Sequence, residues 1–268
     1  MRIKVLAFAA SLLLIANSSA GIPQTPTTTT NTPQRDPQAI AILQQCLNLA
    51  GGVSTVGTLA DYTASGTITY HMAVQDVPGS VAIYGRGLDQ FRMDVTMPTG
   101  VHSWVASHGK AFEKAEDGTV SQVLGLSFIS PSSLFFPYIQ LVQALKDKSF
   151  SIEFKGLTTV DGNSTYDIRV RRGFALPDGT AQTTEIGALD VFIDATSSQI
   201  IMTREEVRPP RNSAEGPPHE MRFSDYRSIN NVLVPFLVSE TVGGQSTWQV
   251  QLSDLSFNSG LTDSNFAF

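Results

Sequence analysis

Met221-Arg222-Phe223-Ser224-Asp225-Tyr226-Arg227-Ser228, Val232 to Val242 and Thr247 to Phe257 are three alternating runs divided by Asn230-Asn231 and Gly243-Gly244. Alternation of apolar and polar side chains buries one face of a strand. Asn and Gly dipeptides tolerate the positive φ angles of two-residue hairpin turns. The C-terminal stretch is therefore predicted to be an antiparallel meander with one face in the core.

The same period of two extends upstream. Tyr62, Ala64, Gly66, Ile68 and Tyr70 alternate with small or polar residues, and Val81, Ile83, Phe91, Met93, Val95 and Met97 follow, with Gly85 and Gly87 between them. Val77-Pro78-Gly79, Pro98-Thr99-Gly100, His108-Gly109 and Asp117-Gly118 supply the turns. Alternation resumes at Ser151 to Phe154, Tyr166 to Val170 and Leu189 to Ile193, and Asp161-Gly162 joins the first two as a hairpin. Arg208 to Pro218, rich in proline, reads as a loop.

Two segments carry a helical period instead. Asp36 is placed to cap a helix that begins at Pro37, buries Ile40, Leu43 and Leu47, and stops at Gly51-Gly52. Between Leu124 and Lys148, Ser130-Pro131 opens a helical turn and Pro137 a second helix, with Ile139, Leu141, Val142 and Leu145 apolar. The sum is roughly eleven or twelve strands and two or three helices, which suits one large curved sheet with helices on its concave side.

The ends set the compartment. Arg2 and Lys4, the apolar run Val5 to Ala16, and Ser18 and Ala20 at a cleavage site read as a signal peptide over residues 1–20. Gly21 to Arg35 is a Thr/Pro-rich leader without the apolar content to fold, expected to be a flexible tether, and residues 36–268 form the domain. The protein is expected to be periplasmic or secreted and monomeric, and not an integral membrane protein, since no later stretch is long and apolar enough to span a bilayer. Without Arg2 and Lys4 the chain has 16 Lys+Arg against 24 Asp+Glu, a net charge of -8, which argues against nucleic acid as a partner. Arg169, Arg171 and Arg172 form its one basic cluster, read as a solvated strand edge. The lone Cys46 has no partner for an internal disulfide and is placed among apolar helical residues.

Catalytic motifs are missing: there is no G-x-S-x-G, H-E-x-x-H, C-x-x-C or phosphate-cradling loop, so no enzyme activity and no cofactor are expected. Of His71, His102, His108 and His219, the pair His102 and His108 would need Glu113 or Glu116 to complete a metal site. The carboxylate pairs Glu205-Glu206 and Asp190/Asp194 have the residue types for acid/base work on sugars, and solvation on the polar face of a strand accounts for the second.

Apolar and aromatic residues concentrate at the helical interruption. Leu126, Phe128, Leu134, Phe135, Phe136 and Tyr138 stand among prolines, where they read either as ordinary core or as a flap over a greasy concavity. Phe91, Met93, Val95, Trp104 and Phe112 are the candidate walls of that concavity. Together these eleven residues are the expected ligand-binding set.

The order of parts resembles the LolA/LolB-like lipoprotein-carrier superfamily. The likeness rests on Ser224-Asp225-Tyr226-Arg227, Asn231-Val232-Leu233-Val234-Pro235-Phe236, Leu255-Ser256-Phe257-Asn258, Leu261-Thr262-Asp263 and Phe266, with Val160-Asp161-Gly162 and Tyr166-Asp167-Ile168 as a middle hairpin. It covers residues 36–268 and implies a mainly β (α+β) fold, a curved antiparallel half-barrel of about 11 strands with helices covering the concave face. It also implies a non-catalytic carrier or binding protein for a lipid, acyl chain or lipoprotein, with envelope membrane proteins as possible partners. A cell-envelope scaffold or sensor module without a ligand is the alternative. The Thr/Pro-rich leader, the 208–218 loop and the lack of an identifiable arginine to latch the lid depart from the well-studied carriers.

Overall fold

Helix α1, Pro37–Leu49, begins as its capping residue dictates: the Asp36 carboxylate accepts from the amides of Gln38 at 2.7 Å and Ala39 at 3.2 Å. It buries Ala39, Leu43, Cys46 and Leu47. The structure, a computed structural model, describes residues 33–123, 131–175, 181–183, 188–206 and 217–268. The expected signal peptide and most of the leader lie outside the described residues. The leader's last residues do not behave as a tether, because the Ile152 amide donates to Gln34 O at 2.7 Å and Asp36 N donates to Ile152 O at 2.9 Å.

The strands are β1 (Asp61–His71), β2 (Asp76–Arg86), β3 (Gln90–Met97), β4 (Gly100–Ser107), β5 (Lys110–Lys114), β6 (Val120–Gln122), β7 (Phe150–Val160), β8 (Asn163–Ala175), β9 (Ala181–Thr183), β10 (Leu189–Asp194), β11 (Ile200–Glu206), β12 (Pro218–Ile229), β13 (Val232–Val242) and β14 (Gln245–Phe257). Thirteen of them form one path, β6-β5-β4-β3-β2-β1-β14-β13-β12-β11-β10-β8-β7, and β9 pairs with β8. The count exceeds the expected eleven or twelve, since β9 and β11 have no clear alternation in the sequence. Every pairing between named strands is antiparallel, and the sheet stays open with β6 and β7 at its edges.

Short turns make most of these connections. Both residues of Asp161-Gly162, Asn230-Asn231 and Gly243-Gly244 have positive φ, the geometry whose twist matches the flanking strands. One join is long-range: β1 pairs with β14, from Tyr62 opposite Phe257 to Tyr70 opposite Trp248. Asp61 secures it, with its buried carboxylate accepting from the amides of Ser259 at 2.6 Å and of Gly260 and Leu261 at 3.1 Å. The closing motif continues the tie: Asn258 accepts from Ala60 N at 2.8 Å, Arg86 reaches Asp263 at 2.8 Å, and Phe266 is buried.

Two faces result. The concave face carries Ile68, Ile83, Val95, Ile168, Val191, Phe223, Val234, Val250 and their neighbours, packed with α1 and with α3, Tyr138–Lys146. A four-residue helix α2, Val53–Val56, follows α1 and was not foreseen. The convex face has a small cluster of Val160, Phe192 and Met202, with Ile201 packed against it. It also carries ion pairs. Arg169 holds Asp190 at 2.6 Å, Arg171 holds Glu153 at 3.2 Å, and Arg204 and Arg222 hold Glu220 at 2.9 and 3.1 Å. Two of the basic trio, Arg169 and Arg171, are therefore paired within the sheet, while Arg172 lies over the Phe150 ring at 5.8 Å, and solvation does not account for Asp190, whose side chain is 12 % exposed. Asp194 instead accepts from the amides of Thr196 and Ser197 in a turn.

Candidate functional site

Strands β6 and β7 are opposite edges of the sheet and consecutive in the chain, so residues 123–149 must travel from one edge to the other. Of that connection, a 3-10 turn at Pro131–Leu134 and α3 are described, and Leu126 and Phe128 lie outside the described residues. The proline-flanked turn aims Phe135 and Phe136 into the concave face. Phe135 stacks on Phe91 of β3 at 6.0 Å and on Trp248 of β14 at 5.6 Å, with interplanar angles of 11° and 13°. The two strands are three ladder spacings, about 14 Å, apart along the sheet, so the sheet curls around that ring. Phe136 packs at 6.1 Å from Tyr62, 5.5 Å from Tyr138 and 5.1 Å from Phe257.

Polar contacts fix the cover in place. The buried Tyr62 hydroxyl donates to Ser132 O at 2.7 Å, and Ser132 Oγ donates to Gly87 O. Tyr62 lies flat across β2 because Gly85 has no side chain: a Cβ there would sit 2.2 Å from the ring. At the other end of the cover, Arg35 donates from Nη1 to the carbonyls of Ala144 at 3.0 Å, Asp147 at 3.2 Å and Phe150 at 3.0 Å, and from Nη2 to Leu145 at 3.0 Å. A cation at the carbonyls of Ala144 and Leu145, in the last turn of α3, suits the helix's negative end. The sequence reading that no arginine holds the cover is thus corrected. Arg35 does so from the segment taken as leader, where its low-complexity surroundings concealed it.

Most of the candidate side chains meet here. Phe91, Met93, Val95, Phe135, Phe136 and Tyr138 are buried in the one core beneath the cover, and Trp104 and Leu134 are half-buried against it. Phe112 is not among them. It pairs with Val105 of β4, whose neighbour Trp104 faces the concavity, so Phe112 points to the convex side. Reasoning from sequence missed Tyr62, Trp248 and Phe257. Trp248 shares its parity with Val250 and Leu252, which is the signal that places it on the same face.

One end of the concave face is polar. His219 is buried between two carboxylates, with Nδ1 2.9 Å from Glu205 and Nε2 2.8 Å from Glu240. Burial alone would lower its pKa, but the hydrogen bonds that its ring donates to both carboxylates outweigh burial and raise it to about 9. His102 Nδ1 lies 3.7 Å from Glu116 and Nε2 3.9 Å from Glu113, whereas His108 sits in a turn, 3.1 Å from Asp89. The structure therefore separates the two histidines, and among the described residues no group of three ligating side chains is placed to hold a metal. Cys46 is buried, its thiol pushed up to about 12 by desolvation, and so is an inert core residue. Among the described residues no helix is long and apolar enough to cross a membrane.

No protein-family model matches the sequence, and no curated protein matches it. Solved structures do. A domain from Vibrio parahaemolyticus assigned to outer membrane lipoprotein sorting is 12 % identical, with a TM-score of 0.53 over 85 % of this chain and 96 % of that one. A LolA superfamily protein from Nitrosomonas europaea is 8 % identical, with a TM-score of 0.53 over 84 % and 97 %. A DUF1329 family protein from Desulfovibrio piger is 13 % identical, with a TM-score of 0.52 over 84 % and 97 %. With a curved, open antiparallel sheet and a helical cover tied across its concave face, the chain has the fold of these LolA-like structures.

Proposed function

We propose that this chain is an exported, non-catalytic binding or carrier protein for an amphiphile, a lipid, acyl chain or lipoprotein, whose hydrocarbon lies between the concave face and the cover. One observation carries the reading. The apolar face is closed by α1 and by one connection with two inserted phenylalanines, Phe135 and Phe136, and among the described residues not by a second sheet. The part of the cover that carries the two rings is one short segment, and an acyl chain that displaces it replaces the lost ring contacts with its own. Each buried methylene contributes about 0.8 kcal/mol, so six or more outweigh an opening cost of a few kcal/mol. The signal-like residues 1–20 and the fold shared with a LolA superfamily protein support the same reading.

Organic extraction of gently purified protein, followed by mass spectrometry, tests it. Copurifying lipid is expected, together with uptake of a neutral apolar fluorophore after delipidation. A clean extract and no uptake would remove the proposal. The filling of the face by Phe135 and Phe136 favours a second reading, a scaffold that docks partners and holds no ligand. That reading predicts partner capture by delipidated protein and no fluorophore uptake.

A further inference from the structure

Met72, Ala73 and Val74 are an apolar run that the fold leaves in water. With Gln75 they make the turn between β1 and β2, whose base is closed by His71 Nδ1 at 3.1 Å from Asp76. Every residue of the turn is exposed. Val74 is 94 % exposed, and no other large apolar side chain among the described residues exceeds 64 %. Single exposed apolar side chains are ordinary on a protein surface, but three in succession at a tip mark a contact surface.

The register holds this tip clear of its neighbour. Strand β3 pairs with β2 only from Ser80, opposite Thr96, so Asp76, Val77, Pro78 and Gly79 have no partner in β3. That is roughly 13 Å of free strand. Pro78, which has no amide to donate, suits such an edge. On its inner side the tip runs into the concave face. Met72 continues the parity of Ile68 and Tyr70, both packed in the core, and Tyr70 is opposite Val77 on one side and Trp248 on the other. Trp248 is the ring on which Phe135 stacks.

Area and charge identify what covers the tip. Three side chains on one narrow turn fall far short of the roughly 800 Å² a side that a stable protein interface buries. A bilayer surface asks for less, since apolar groups settle about 5–10 Å deep, at the boundary of headgroups and acyl chains, and the free part of the hairpin is long enough to reach it. At that depth water still reaches the backbone groups of the turn, which the hydrocarbon centre would leave unsatisfied. No Lys or Arg occurs between Arg35 and Arg86, and Asp76 stands at the base of the tip, so nothing there attracts an anionic headgroup.

Resting on the carrier reading above, we propose that the β1–β2 hairpin is a membrane-contacting finger. Met72, Ala73 and Val74 enter the headgroup boundary of a zwitterionic bilayer, and Met72, Tyr70 and Val77 form the apolar track along which hydrocarbon passes between bilayer and concave face.

Cys46 is buried, so a thiol placed at the tip is the one that a label reaches. Full-length Val74→Cys carrying a nitrobenzoxadiazole label is mixed with phosphatidylcholine vesicles. Its emission is expected to rise at least threefold, with no further gain when phosphatidylglycerol is added to the lipid. The same label on Asn163→Cys, exposed in the β7–β8 turn at the other end of the strands, is expected to stay unchanged. In Met72→Ser/Val74→Ser, transfer of a fluorescent fatty acid from these vesicles is expected to slow at least tenfold, while its affinity measured without vesicles stays within twofold of the parent's. A Val74 label indifferent to vesicles overturns the finger, as does a response that needs phosphatidylglycerol. Transfer that survives the double substitution overturns the track, and each of these results leaves the carrier reading standing. A parent protein that takes up no fatty acid, with or without vesicles, overturns the carrier reading and the track with it, whatever the label reports.

Discussion

Phe135 of the cover lies parallel to Trp248 of the sheet, 5.6 Å between ring centroids and 13° from coplanar. The contact joins residues more than a hundred positions apart in the chain. With Phe136 against Phe257, it seats the cover on β14.

Truncation at that point separates packing from ligand exchange. Phe135→Ala removes a buried ring and is expected to cost about 3 kcal/mol of stability. A long-chain alcohol should restore part of that loss by filling the space, while stabilising the parent protein less. Thermal unfolding of both proteins with and without dodecanol checks this. A variant that loses stability and gains none from the alcohol contradicts a hydrocarbon site at Phe135.

Arg35 makes four hydrogen bonds to the carbonyls that end the cover. Arg35→Met keeps the aliphatic stem and loses those bonds, at an expected cost of about 2 kcal/mol. The effect should be local. Amide hydrogen exchange is expected to quicken in α3 and at Phe150, with β12 to β14 unchanged.

Gly85 faces the Tyr62 ring across the β1–β2 ladder. Gly85→Ala puts a methyl 2.2 Å from that ring, and is expected to destabilise by about 2 kcal/mol by forcing Tyr62 away from Ser132 O. In a Tyr62→Ala background the same substitution should cost less than half as much. Urea unfolding of the four members of this cycle gives the coupling.

His219 makes stability depend on pH in the alkaline range. Its pKa in the folded protein is raised to about 9 against 6.5 for a free imidazole. The stabilisation is therefore fully present below about pH 6.5 and fades as the pH climbs through 9. A shift of this size corresponds to something on the order of 3 kcal/mol. Urea midpoints at pH 6 and pH 9.5 should differ accordingly, and His219→Gln should flatten the difference. Equal slopes in the two proteins would refute the assignment.

Much of this architecture was legible before any coordinates. The Asn230-Asn231 and Gly243-Gly244 hairpins, the cap at Asp36 and the proline-opened helix at Tyr138 follow from local backbone chemistry, which a sequence states directly. Strand β11 did not announce itself. Ile200 packs into the concave core and Met202 into the convex cluster, so apolar residues serve both sides and the alternation disappears. Phe112 was placed with its aromatic neighbours when parity along β5 sets it opposite. The β1–β14 join and the grip of Arg35 on α3 depend on partners far away in the chain, and no window of sequence contains both halves.

The link between β6 and β7 joins the two outermost strands of the sheet, which follow one another in the chain and share no ladder. Any spreading of the sheet that carries those two strands apart therefore draws on the link as well, so its length bounds how far the sheet can open.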